Sequence, residues 1–83
     1  MIKISKRNAQ EDDVYNYMLE NGIITQAAAY EELGCSRLAA RIYRMKKWGI
    51  QIGTRIIYYT KKNGRPGKYA EYWLEDEYDP SGN

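Results

Sequence analysis

The chain has 83 residues, 13 of them Lys or Arg and 11 Asp or Glu, for a net charge of +2. That length suits one small domain, and 43% hydrophobic with 29% charged residues describes a globular chain rather than a disordered one. With no His and a single Cys, the chain has no internal disulfide, no Cys/His zinc site and no Ser–His or Cys–His nucleophile pair.

In chain order, residues 1–10 read as a loose basic arm containing Lys3, Lys6 and Arg7, with no apolar core of a signal peptide. Glu11, Asp12 and Asp13 then open a helix through VYNYMLEN, since acids favour the positive end of the helix dipole. Val14, Tyr17, Met18 and Asn21 share one face of it, and Asn21-Gly22 marks its end. Ile23 and Ile24 form a short apolar connector, and Thr25 caps a second helix, QAAAYEEL, with Ala29 and Leu33 as its buried pair.

Gly34-Cys35 makes a tight turn, with Cys35 as a small buried hydrophobe. Ser36 caps a third helix from Arg37 to about Trp48, roughly 20 Å long. Leu38, Ile42 and Met45 recur at i, i+4, i+7 and face the core, while Trp48 is expected to pack where this helix meets the following strands, with stacking on a base as the alternative.

Beyond Gly49 the period changes. IQIGTRIIYYT and KYAEYWL read as two strands joined by the turn-rich KKNGRPG. A two-residue Asn63-Gly64 turn would set Ile56 against Glu71. An odd-numbered loop instead aligns Ile52, Thr54, Ile56 and Tyr58 with Ala70, Tyr72 and Leu74 on one core face, and is preferred. The other face then carries Arg55, Ile57, Tyr59, Tyr69, Glu71 and Trp73. Residues 76–83 form an acidic tail expected to fray.

These elements give an α+β domain over residues 11–75, mainly α: a three-helix helix-turn-helix core followed by a β-hairpin wing. Its charge is blocked rather than mixed. Residues 1–7 carry +3, residues 8–34 carry −6, residues 35–68 carry +10 without one acid, and residues 69–83 carry −5. Such segregation marks a surface with a polyanionic partner.

On the third helix Arg37, Ala40, Arg41, Arg44 and Lys47 are left facing outward. Recognition helices read bases from their N-terminal half, so Ser36, Arg37 and Arg41 are the base-reading candidates and Arg44 and Lys47 the phosphate contacts. Lys61, Lys62, Arg65 and Lys68 at the wing would neutralise flanking phosphates.

The stretch ITQAAAYEELGCSRLAARIYRMKKWG, followed by IIYYT, a basic turn and YAEYWL, resembles short winged helix-turn-helix proteins of phages and prophages. The resemblance spans about residues 12–75 and implies DNA binding. Together with the basic helix and wing, the expectation is a sequence-preferring double-stranded DNA binder acting in transcription regulation or recombination, in the cytoplasm of the host, as the lone Cys also fits. The repressor-type pattern would place an alanine at Tyr30 and apolar groups at Ala40 and Tyr43, so Ala40 and Tyr43 stand as alternative edges of the groove-facing set.

A second reading makes the scaffold an inhibitor of a host protein, or a homodimer, through Ile57, Tyr59, Tyr69 and Trp73 and the acidic tail. Single-stranded RNA is a third candidate partner, through tyrosine stacking. Enzymatic activity, a cofactor and a membrane association are not expected: no acid lies in the central third and no apolar run approaches about 20 residues.

Overall fold

The computed structural model describes residues 9–78, in the order α1 (Ala9–Asn21), β1 (Ile23–Thr25), α2 (Gln26–Leu33), α3 (Leu38–Lys47), β2 (Ile52–Thr60) and β3 (Pro66–Leu74). Helix α1 begins at Ala9, inside the segment expected to be an arm. Lys3, Lys6 and Arg7 lie outside the described residues.

The apolar connector Ile23-Ile24 is a strand. β1 pairs antiparallel with β3 through Ile23↔Trp73, Ile24↔Tyr72 and Thr25↔Glu71, and the sheet runs β1-β3-β2. The fold is thus α+β as expected, with three strands rather than a hairpin alone. Ile24 is fully buried between this sheet and the helices, as a β-branched residue on a half-buried strand should be.

Thr25 ends β1 and caps α2, its Oγ1 accepting from the Ala28 N–H at 3.2 Å. At the far end Gly34 takes φ +68, the left-handed conformation that closes many helices. There the Gly34 N–H donates to the Tyr30 carbonyl and the Cys35 N–H to the Ala29 carbonyl. Cys35 is fully buried, and Leu33 is half-buried against the core.

The start of α3 departs from the sequence expectation. The helix begins at Leu38 with Arg37 as its cap residue, and no side chain of that residue bonds back. Instead Gln26, the first residue of α2, reaches across the turn. Its Oε1 accepts from the Leu38 N–H at 2.9 Å and its Nε2 donates to the Cys35 carbonyl at 2.7 Å. The orphan donor of a helix start is thereby met from a neighbouring helix, and the angle between α2 and α3 is tied to one side chain. Leu38, Ile42 and Met45 are buried as expected, each contributing about 1.5–3 kcal/mol.

Trp48 is 50% exposed rather than packed against the strands. The buried stripe of 38, 42 and 45 next falls on Gly49, where the chain turns away, and Ile50 takes the inner position.

The hairpin register is the expected one: Ile52↔Leu74, Thr54↔Tyr72, Ile56↔Ala70, Tyr58↔Lys68 and Thr60↔Pro66, around a five-residue loop of residues 61–65. Asn63 Oδ1 accepts from the Arg65 N–H, and the Lys61 N–H donates to the Arg65 carbonyl. The expected core face is buried only at its base. Ile52 and Leu74 are covered, whereas Ile56 and Tyr58 are exposed, Tyr58 at 74%. Nine-residue strands span about 30 Å, and the helices cover one end.

The opposite face packs on itself. Trp73 lies over Gly53, where an added Cβ would collide with its ring, and Tyr59 lies over Gly67 in the same way. Arg55 pairs with Glu71 at 2.7 Å and stands 5.7 Å from the Trp73 ring centroid. Residues 75–78 turn back rather than fray. The Glu75 N–H donates to the Gln51 carbonyl, the Tyr78 N–H to the Leu74 carbonyl, and the Tyr78 ring covers Gly22. Residues 79–83 of the acidic tail lie outside the described residues.

Loss of a helix cap costs about 0.5–2 kcal/mol. Urea denaturation of Gln26→Ala should therefore show a loss of about 1–2 kcal/mol, while Ser36→Ala should stay within about 0.5 kcal/mol of the parent.

Candidate nucleic-acid interface

The outward side of α3 is built by the spacing of its buried stripe. With Leu38, Ile42 and Met45 inward, Arg37, Ala40, Tyr43, Arg44 and Lys47 are exposed, as is Ser36 in the turn. Ala40, Tyr43, Arg44 and Lys47 line one shallow depression, in which the small Ala40 leaves the helix backbone accessible. Lys47 Nζ lies 5.3 Å from the Tyr43 ring centroid, a cation–π distance that holds the ammonium on this face. Both Ala40 and Tyr43 therefore belong to the outward set.

Arg41 is placed differently from its neighbours. Only 29% of its side chain is exposed, and its Nη1 lies 3.2 Å from Glu11 Oε2. Its Nε donates to Gln10 Oε1 at 3.1 Å. Arg44 Nε lies 3.4 Å from the same Glu11 oxygen, with 55% of its side chain exposed. Gln10 Nε2 also donates to the Gly34 carbonyl at 3.4 Å. The first turn of α1 is thus fastened to both the helix-turn-helix corner and the outer face of α3.

Glu11 is only 2% exposed, and among the described residues its Oε1 is buried without a hydrogen-bond partner. A carboxylate in that setting persists because two guanidinium groups compensate it. Sequence reasoning assigned Glu11 to the helix dipole and missed this contact. The signal was present: Glu11, Val14 and Met18 fall on one helical face at i, i+3, i+7, so an acid sat in line with the core. Gln10 and Gln26 carried no comparable signal.

At the wing, Lys61, Lys62, Arg65 and Lys68 are all exposed. Of the ten cations between residues 35 and 68, Arg41, Arg44 and Arg55 have carboxylate partners. Among the described residues the other seven have none. Lys68 lies directly across from Tyr58 on the exposed half of the hairpin.

The remaining group of interest is the outer sheet face. Ile57 and Trp73 are half-buried there, and Tyr59 and Tyr69 are exposed with ring centroids 5.9 Å apart. Among the described residues no cluster of three or more His, Cys, Asp or Glu could hold a metal, and no helix is long and apolar enough to cross a membrane.

Residues 9–77 match the family described as a winged helix-turn-helix domain, and the chain belongs to that family. No curated protein and no solved structure shows significant similarity to it. Membership supports a role in DNA binding, and domains of this family are typically non-enzymatic.

Removing one partner of a buried ion pair leaves the other uncompensated, at a cost of about 3–5 kcal/mol. Because Arg44 would remain beside Glu11, Arg41→Ala should lower unfolding stability by about 3 kcal/mol in chemical denaturation. Arg37→Ala, whose side chain is exposed, should change it by less than about 0.5 kcal/mol.

Proposed function

We propose that this chain is a sequence-preferring double-stranded DNA-binding protein of phage or prophage type, acting in the bacterial cytoplasm in transcription regulation or recombination. Helix α3 enters the major groove and the β2–β3 tip holds flanking phosphates. The observation that carries this reading is the set of seven cations without a carboxylate partner among the described residues, on α3 and the wing tip of a winged helix-turn-helix domain.

In this arrangement Ser36 and Arg37 lead the helix into the groove, where an arginine fork matches guanine O6 and N7. Ala40 and Tyr43 line the approach of the helix, and Lys47 meets the backbone. Arg41, held by Glu11 and Gln10, keeps α3 seated on α1 and is not the leading base reader. Lys61, Lys62, Arg65 and Lys68 neutralise phosphates without reading sequence.

A second reading, a surface for a host protein or for a second copy of the chain, is favoured by the exposed Tyr59 and Tyr69 on the outer sheet face. The two are separable by fluorescence anisotropy with a random duplex of about 20 base pairs. For about five phosphates neutralised, affinity should fall by roughly 10²–10³ between 50 and 200 mM salt. Binding that ignores salt would contradict the groove-and-phosphate arrangement, and no binding at low salt would favour the protein surface.

Lys62→Ala should weaken all duplexes about equally and reduce the slope of log affinity against log salt by about 1. Selection of bound sequences from a random duplex pool should enrich one motif, and a palindromic motif would report a dimer.

A further inference from the structure

We propose that Glu11, a residue of α1 outside the groove-facing helix, determines base specificity by pinning Arg44. The inference rests on the DNA-binding reading above and names what sets its selectivity.

An arginine presents its fork in two ways: side-on through Nε and one terminal nitrogen, or end-on through both terminal nitrogens. A mobile arginine uses either way and pairs with any phosphate within reach. Glu11 Oε2 lies 3.4 Å from the Nε of Arg44 as an ion pair without a hydrogen bond, which turns the side-on edge toward the carboxylate. Among the described residues nothing engages the two terminal nitrogens, and the side chain is 55% exposed. What remains is the end-on pair, whose spacing matches O6 and N7 of a guanine in the major groove.

Glu11 is suited to this because it cannot leave. It is 2% exposed, its second oxygen has no hydrogen-bond partner among the described residues, and Arg41 grips the same oxygen at 3.2 Å. Gln10 takes the Nε of Arg41 at 3.1 Å, so Arg41 is committed to the protein. It places a second cation against the Glu11 oxygen that faces Arg44. Glu11 is therefore a positioning residue acting through Arg44, and its carboxylate also lowers the net positive charge offered to arbitrary phosphates.

The test is selection from one random duplex pool with the parent, Glu11→Gln and Arg44→Lys, together with anisotropy on the parent's selected duplex and on an unselected one. The parent should enrich a motif containing a G·C pair that both variants lose. Its preference for the selected over the unselected duplex should fall about 10-fold in either variant, the scale of one bidentate base contact.

Glu11→Gln should in addition bind the unselected duplex more tightly and with a steeper salt slope, whereas Arg44→Lys should leave that slope unchanged. A merely structural Glu11 would lower the melting temperature and weaken both duplexes in proportion, with the motif intact, and that result overturns the proposal. If Glu11→Gln does not fold, Arg44→Lys decides: retention of the G·C pair by a folded Arg44→Lys overturns it. A parent chain that binds no duplex at 50 mM salt overturns the DNA-binding reading itself, and with it this inference.

Discussion

A carboxylate with almost no access to water requires cations beside it, and Glu11 meets that requirement with two arginines from α3. The contact fixes more than two helices. It sets the rotation of α3 about its own axis, and so decides which side chains face outward. At the N-terminus of α3, Gln26 takes the first free N–H of the helix and the carbonyl of Cys35. The helix is thus held by two polar side chains from α1, Gln10 and Glu11, and one from α2, around the apolar contact of Leu38, Ile42 and Met45. Apolar packing alone tolerates small rotations, whereas directional contacts at Leu38 and Arg41 restrict them.

The sheet obeys a different constraint. Its base is buried by Ile24, Ile52 and Leu74, but the strands of the hairpin run beyond the helices. There the chain supplies its own packing, with Trp73 over Gly53 and Tyr59 over Gly67 on one face. Aromatic rings over strand glycines bury apolar surface without a second layer and pin the register. The Arg55–Glu71 pair beside Trp73 adds to the same face. A wing stabilised in this way can stand away from the body with Lys61, Lys62 and Arg65 at its tip.

Much of this was legible in residue order, and the parts that were not share a cause. The parity of the hairpin loop followed from alternation, because shifting by one residue would have turned Ile56 and Tyr72 to opposite faces. The stripe of Leu38, Ile42 and Met45, the Thr25 cap and the Gly34 stop are all local signals and all stand in the structure. β1 was missed because three residues show no period and their partner lies about fifty positions away. Ser36, not Gln26, is the residue local capping rules select, because they do not see an acceptor arriving from another helix. Trp48 was assigned to the core by its size, although the helix ends before its position turns inward.

The charge pattern is legible in the sequence as a block but not as a surface. Ten cations without an intervening acid describe the sequence, yet Glu11 and Glu71 reach three of them from outside the block. In the proposed complex the outward face of α3 and the wing tip meet DNA while the Glu11–Arg41 contact stays closed. Titrating a duplex into isotope-labelled protein and following backbone and arginine Nε–H resonances tests it directly. Shifts should concentrate in residues 36–47 and 61–68, with the Arg41 Nε–H signal nearly unmoved. Shifts centred instead on Ile57, Tyr59, Tyr69 and Trp73, or an Arg41 signal that moves with the DNA, would contradict it.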